Sequence, residues 1–241
     1  ERATLLDAVL KLQRVVGAKT SMPILEGILL SAEQGKLTLV AYNLEMGMKK
    51  DLYCNCKESG DIVIPARLLA DILRRMNGIQ VEISADSKLN CNIKCGEATF
   101  DIMGMAATDF PEMPSVVESN TLKIDAKIMS EMIKSTIFAA ASTEGVKPIL
   151  TGINFSVNDS VLQLVGIDGY RLAIRSEKVS DVKDIEFTVS NKAVAELLKL
   201  IEEQSETVEI NVGKRLISFN VEGYTFISRL LEGEFVNYQK T

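Results

Sequence analysis

Histidine is absent from the 241-residue chain. Its absence removes Ser-His-Asp and Cys-His nucleophilic machinery, and most catalytic metal sites, from the available chemistry. There is no P-loop, and no G-x-G-x-x-G follows a strand-like run. No apolar stretch approaches the length of a membrane span. The opening "ERATLLDAVLKLQRVV" is charged and amphipathic, so it is not a secretory signal. Without an initiator Met, the sequence is expected to begin after the natural start. Cysteine is scarce, with Cys54, Cys56, Cys91 and Cys95 only. A long chain with few cysteines and no signal reads as cytoplasmic, with reduced thiols. Both cysteine pairs lie in strand-like text, where spacings of two and four put side chains on one face. Structural thiols are the simpler reading. Zinc is the alternative, although neither spacing is the usual C-x-x-C. No cofactor is expected.

What is present is enough apolar residue for ordinary cores: 46% hydrophobic and 25% charged. The passage "PILEGILLSAEQGKLTLV", from Pro23, returns as "PILTGINFSVNDSVLQLV" from Pro148. At this shift of 125 residues, nine of eighteen positions are identical. Chance gives on the order of one, so this is an internal repeat, with a period that fits a whole domain. "IPARLLADILRRM" returns as "VSNKAVAELLKLI", and "ATF" at Ala98 as "YTF" at Tyr224. Each copy reads as an amphipathic helix (Leu5–Val16; Lys127–Ala140), a "PIL-G" strand and an alternating strand such as "KLTLVA". Further strand text leads to a second helix starting at Pro65 or Ser190, and three short strands close the copy. Turns are expected at Asn77, Asp86 and Glu222. The fold class is α+β, with antiparallel sheets carrying two helices on one face, and domains at 1–118 and 119–241.

On a helical wheel, Leu68, Leu69, Ile72, Leu73 and Met76 face inward, and Arg67, Ala70, Asp71 and Arg74 outward. In the second copy Val194, Leu197, Leu198 and Ile201 face inward, and Lys192, Ala195, Glu196 and Lys199 outward. Lys127 and Lys134 share the i, i+7 spacing of these basic pairs, and Lys11 and Arg14 lie on the polar side of the first helix. Two readings stand. Arg67–Asp71 and Lys192–Glu196 are i, i+4 pairs of opposite charge on solvated faces. Alternatively, four helices present cations to one polyanion, touching phosphate and reading no base. A net charge of −6, about −3 in each half, means that attraction alone would not hold DNA. Surrounding it would.

The stretches "KTSMPILEGILL", "LTLVAYNLEMGM", "IVIPARLLADILRRM", "DFPEM", "LTGINF" and "GIDGYRLAIRS" together resemble the bacterial sliding clamp family, the beta subunit of the replicative DNA polymerase III holoenzyme. The resemblance runs over essentially the whole chain and follows the family's first two domains. It implies three similar domains per chain, two chains closing head to tail into a homodimeric ring, and helices lining the hole. It implies a non-catalytic protein that encircles double-stranded DNA and tethers the polymerase, and that is loaded by a clamp loader. The family's third domain and the opening strand of the first copy have no match here. Without the third domain, the chain lacks half of the family's ring interface. Contacts with DNA are implied for Arg67, Arg74, Lys127, Lys134, Lys192 and Lys199 on helices, and for Lys19 and Lys147 in the loops before the two "PIL" passages. Val236-Asn237 replaces the family's common Pro-Asp, and Lys147-Pro148 lacks the aromatic residues often found in that loop.

The copies differ at one turn. The first has Tyr42-Asn43-Leu44-Glu45-Met46 and the second Ile167-Asp168-Gly169-Tyr170-Arg171. Asp-Gly suits a turn with positive φ, which the first copy does not invite. On its own, Gly169 tightens a hairpin and Tyr170 packs locally. The resemblance implies instead a groove for short motifs of polymerase, clamp-loader and repair proteins, walled by Leu150, Ile167, Gly169, Tyr170, Arg171 and Leu172. Two alternatives remain. One is a two-domain clamp of archaeal or eukaryotic type. The other is an enzyme using a carboxylate pair such as Asp168 and a neighbouring acid, which requires a strongly perturbed carboxylate in a cleft.

Overall fold

The structure is a computed structural model that describes residues 1–17, 21–117, 120–142, 146–180, 183–201 and 205–238. The chain divides into two compact units, Glu1–Pro114 and Ser115–Thr241.

The first unit opens with helix α1 (Arg2–Leu12) and runs through β1 (Gly27–Glu33), β2 (Lys36–Tyr42), β3 (Met46–Tyr53) and β4 (Gly60–Pro65) to helix α2 (Ala66–Arg75). It closes with β5 (Glu82–Ala85), β6 (Asn90–Cys95) and β7 (Ala98–Met103). Strands β4, β1, β2 and β3 lie side by side in that order, all antiparallel, and β5, β6 and β7 form a separate antiparallel sheet. Helices α1 and α2 pack against each other and onto the first of these sheets. Leu5, Ala8, Val9 and Leu12 of α1, Leu69, Ile72 and Leu73 of α2, and Ile28, Leu39, Met46 and Ile64 of the strands fill the core. Each fully buried aliphatic side chain stabilises the fold by about 1.5–3 kcal/mol relative to exposure.

The second unit adds β8 (Asn120–Asp125), then α3 (Ala126–Thr136), β9 (Gly152–Asn158), β10 (Val161–Ile167), β11 (Leu172–Lys178), β12 (Ile185–Ser190), α4 (Asn191–Leu200), β13 (Thr207–Val212), β14 (Leu216–Val221) and β15 (Tyr224–Arg229). Its two antiparallel arrays run β11-β10-β9-β12 and β15-β14-β13-β8. Helices α3 and α4 pack against each other, as α1 and α2 do. Strand β8 has no counterpart in the first unit among the described residues. The core holds two stacked aromatic pairs, Phe155–Phe187 with ring centroids 5.2 Å apart and Phe219–Phe226 at 6.0 Å.

Several local expectations need correction. The "PIL" triplets are single 3₁₀ turns, Pro23–Glu26 and Pro148–Thr151, and the strands begin only at Gly27 and Gly152. Proline has no N–H to give to a ladder and suits the first turn of a helix. Helix α1 starts three residues earlier than expected and ends at Leu12, and α3 ends at Thr136 before a 3₁₀ turn at Ile137–Ala139. Asn77-Gly78 connects α2 to β5 instead of turning between strands. The turns at Asp86 and Glu222 are present. Asp86 Oδ1 accepts from the Lys88 and Asn90 backbones, and Glu222-Gly223 adopts φ of 49° and 71° between β14 and β15. Ser190 caps α4 by accepting from Ala193 N at 3.2 Å, and Asp125 caps α3 through Ile128 N at 3.0 Å. Pro65 stands at the N-cap of α2 and gives it no side-chain bond.

The repeated glycine of "PIL-G" has a packing cause. A Cβ at Gly27 would stand 2.4 Å from Val63 Cγ1 and 3.1 Å from Ile64 O. At Gly152 it would meet Val189 O at 2.5 Å and Leu231 Cδ1 at 2.7 Å. In both copies the strand passes too close to its neighbour to carry a side chain there.

Candidate DNA and peptide interfaces

The basic helix positions are all on the surface. Arg67 and Arg74 are exposed on α2, Lys127 and Lys134 on α3, and Lys192 and Lys199 on α4. Lys147 is exposed immediately before the second 3₁₀ turn, and Lys19 lies outside the described residues. The ion pairs differ from the expected i, i+4 pattern. Asp71 pairs forward with Arg74 at 3.1 Å, and Glu196 with Lys199 at 2.8 Å, both i, i+3. Arg67 and Lys192 carry no ion pair among the described residues. The same arrangement thus appears twice at the 125-residue shift: one bare cation, then one cation held by a carboxylate.

The wheel misplaces several side chains. Ala70 is fully buried, because α1 covers that flank of α2, while Leu68 is exposed beside Arg67. Leu198 is half-buried. Lys11 is buried and pairs with Asp7 at 3.0 Å, so it is not on a solvated face. Arg2 was overlooked in the sequence. Its Nη1 donates to Leu73 O at 3.1 Å, satisfying a carbonyl in the last turn of α2, and its Nε donates to Gly78 O at 2.9 Å in the connection that follows. Phe138, just beyond α3, is exposed and was also overlooked. An aromatic within apolar helical text gives no sequence signal of exposure.

All but Leu150 of the second group lie at the β10–β11 turn. Ile167 opposes Leu172 in the ladder, and Gly169 and Tyr170 form the turn between them. Gly169 adopts φ of +91°, and a Cβ there would meet nothing within 4 Å. Asp168 Oδ1 accepts from the backbone N–H groups of Tyr170 and Arg171, both at 3.0 Å, and Oδ2 accepts from Arg171 Nε at 2.8 Å. The two backbone bonds and then the Arg171 guanidinium hold the Asp168 carboxyl below the usual carboxylate range. Tyr170 is wholly exposed at 100%, so it does not pack locally. Leu150 stands in the second 3₁₀ turn, where its carbonyl accepts from Ala141 N at 2.9 Å.

The first copy makes the same turn, against expectation. Asn43 Oδ1 accepts from Glu45 N at 3.0 Å and Met46 N at 2.8 Å, and Leu44 adopts φ of 73°. An Asx side chain imposes the turn, and glycine only removes its strain. The copies differ instead in cover. Leu25, Tyr42, Met46 and Gly47 are buried, whereas Leu150 and Ile167 are half-buried and Arg171 and Leu172 are exposed at the same register.

Acid–base and metal chemistry find little support here. Where a carboxylate shift is resolved among the described residues, at Glu82, Asp86, Asp168 and Glu209, it is downward and favours the charged form. A general acid needs the opposite. All four cysteines are free, Cys91 and Cys95 are buried, and burial pushes the Cys91 thiol up to about 11. Among the described residues no three His, Cys, Asp or Glu side chains are placed to hold a metal. No described helix is long and apolar enough to cross a membrane.

Comparison with known proteins adds the family. Residues 1–114 match the DNA polymerase III beta subunit N-terminal domain, and residues 123–237 match its central domain. The "Beta sliding clamp" of Staphylococcus aureus (strain N315) is 28% identical over 231 residues, covering 92% of this chain and 61% of that protein. The one from Halalkalibacterium halodurans is 29% identical over 250 residues, covering 98% of this chain and 65% of that protein. The DNA polymerase sliding clamp of Bacillus subtilis superposes with a TM-score of 0.95 at 25% identity, covering 100% of this chain and 66% of that one. The Pseudomonas aeruginosa DNA polymerase III subunit beta gives 0.92 at 29%, covering 99% and 66%. The chain therefore spans less than two thirds of these relatives' length. Both units match bacterial domains in order, which leaves no support for the archaeal or eukaryotic two-domain type or for an enzyme. The chain belongs to the bacterial DNA polymerase III beta subunit family, the non-catalytic beta sliding clamps, of which it carries the N-terminal and central domains.

Proposed function

We propose that this chain supplies the first two units of a clamp that encircles double-stranded DNA and tethers the replicative polymerase in the bacterial cytoplasm. The observation that carries this reading is the recurrence of exposed cations on α2 and α4, in the same pairing, within an otherwise acidic molecule. Exposed Lys and Arg side chains without a base-reading element form weak, salt-sensitive phosphate contacts, which permit sliding. Topology then supplies residence time, and an acidic exterior disfavours DNA outside the hole. Lys127, Lys134 and Lys147 add to the same contact, and Lys19 is assigned to it by sequence alone. Reversing Arg67, Arg74, Lys192 and Lys199 to Glu in the full-length protein should sharply reduce retention on nicked circular DNA while leaving the fold intact. Retention unchanged across salt concentrations would remove these residues from the DNA contact.

The second part of the reading is that Leu150, Ile167, Gly169, Tyr170, Arg171 and Leu172 form one wall of a groove for short apolar motifs of polymerase, clamp-loader and repair proteins. The lost cover relative to the first copy supports it, because half-exposed aliphatic side chains beside an open glycine can seat an apolar anchor. Titration of a labelled polymerase-tail peptide against full-length protein should show weaker binding by Gly169→Arg and by Leu172→Asp. Equal binding by both would place the partner elsewhere.

A further inference from the structure

The four cysteines form two pairs with opposite prospects. Cys91 and Cys95 lie in β6, which is paired on both sides, with Cys91 opposite Ala85 and Ile102 and Cys95 opposite Ala98. At about 3.3 Å per residue, four residues of a held strand separate their Cα atoms by roughly 13 Å. A disulfide needs about 4.4–6.8 Å, so these two thiols cannot join. Cys54 and Cys56 are placed differently. The β2–β3 ladder ends at the Lys36–Tyr53 pair, and β4 starts only at Gly60. The Cys54 N–H still donates to Gly35 O, at 3.3 Å. Exposure keeps alternating beyond the ladder: Leu52, Cys54 and Cys56 are half-buried, while Tyr53, Asn55 and Lys57 are exposed. That alternation puts both thiols on one face, and two residues of extended chain place their Cα atoms about 6.6 Å apart. The separation is within disulfide range, and no ladder resists the small contraction that closure requires. The Cys56 thiol donates only to Glu58 O, at 3.2 Å, a weak bond that is easily given up. Among the described residues neither pair has a third His, Cys, Asp or Glu placed to share a metal.

We propose that Cys54 and Cys56 are a reversible dithiol–disulfide pair, a modification site oxidised by small disulfides of the glutathione type. The Cys56 thiolate attacks one sulfur of the small disulfide, whose S–S bond breaks. A mixed disulfide forms and one small thiol leaves with a proton. The Cys54 thiolate then attacks the Cys56 sulfur, the mixed S–S bond breaks, and the second small thiol leaves. Two protein thiols are oxidised, one small disulfide is reduced to two thiols, and the two protein protons depart on them. Burial and then the neighbouring Cys56 raise the Cys54 thiol. Cys54 therefore suits the second step, where proximity offsets a small thiolate fraction. A ring closed over Asn55 alone is strained and lies at the surface, so it returns to the dithiol when small thiols are in excess. This inference is independent of the DNA and peptide readings.

A titration of the 241-residue chain with oxidised and reduced glutathione tests it, the remaining thiols being alkylated with N-ethylmaleimide in denaturant and counted by intact mass. The reduced chain should take four alkyl groups and the oxidised chain two, with no glutathione retained. Peptide mapping should join Cys54 to Cys56 and find Cys91 and Cys95 alkylated. Excess reduced glutathione should restore all four thiols. Cys54→Ser should stop at the mixed disulfide and keep one glutathionyl group on Cys56, because the second step has lost its nucleophile. Four alkylations at every ratio, glutathionylation of the wild type without a protein disulfide, or a disulfide joining any other cysteines would each overturn the proposal.

Discussion

Ser190 and Gly152 show how single residues fix this fold. The Ser190 hydroxyl satisfies one N–H at the start of α4, so Ser190→Ala should cost about 1 kcal/mol, read from chemical denaturation. Gly152→Ala should cost more, about 3 kcal/mol or above, because its Cβ would press on the Val189 carbonyl, a backbone atom that cannot swing aside, as well as on the Leu231 and Thr188 side chains. A melting temperature within two degrees of wild type would contradict that. Acid should loosen the carboxylate-held sites. Asp168 and Glu209 have folded pKa values below their unfolded ones. Their contribution is therefore fully present above the unfolded values, near pH 4, and is lost as pH falls through the depressed folded values. Melting temperature measured from pH 5 down to pH 2 should fall less steeply in Asp168→Asn combined with Glu209→Gln than in wild type.

At the scale of elements, the repeat made the helix–strand–helix order readable, because the same apolar spacing occurs twice and chance does not write it twice. The failures have local causes. "PIL" is apolar enough to pass for strand, and only the missing proline N–H distinguishes it. A helical wheel gives the phase of a helix but not which flanks neighbours cover, so Ala70 and Lys11 were placed outside and Leu68 inside. The β10–β11 turn was legible from Asp-Gly, yet its twin was not, since Asn43 hides the same Asx turn behind a leucine at φ of 73°. The basic positions were legible, and their carboxylate partners were not: i, i+3 and i, i+4 are equally permitted by sequence, and side-chain rotamers decide. A double-mutant cycle on Asp71 and Arg74 should give a coupling of about 0.5 kcal/mol or less, as expected for an exposed pair. A coupling of several kcal/mol would mean that the pair is structural.

At the scale of the whole molecule, the proposed DNA contact would give the alternation of bare and tethered cations a further effect on motion. Arg67 and Lys192 are available to any phosphate, whereas Arg74 and Lys199 must leave a carboxylate before gripping one. If these helices contact DNA as proposed, each step along the duplex would exchange one ion pair for another at nearly constant energy, acting as a lubricant. On that proposal, replacing Asp71 with Asn and Glu196 with Gln would remove these carboxylate partners and make Arg74 and Lys199 more available to phosphate. The salt dependence of DNA affinity should steepen by up to about two phosphate equivalents. Single-molecule tracking of the loaded protein should show slower one-dimensional diffusion, with friction rising even though no contact to a base has been added.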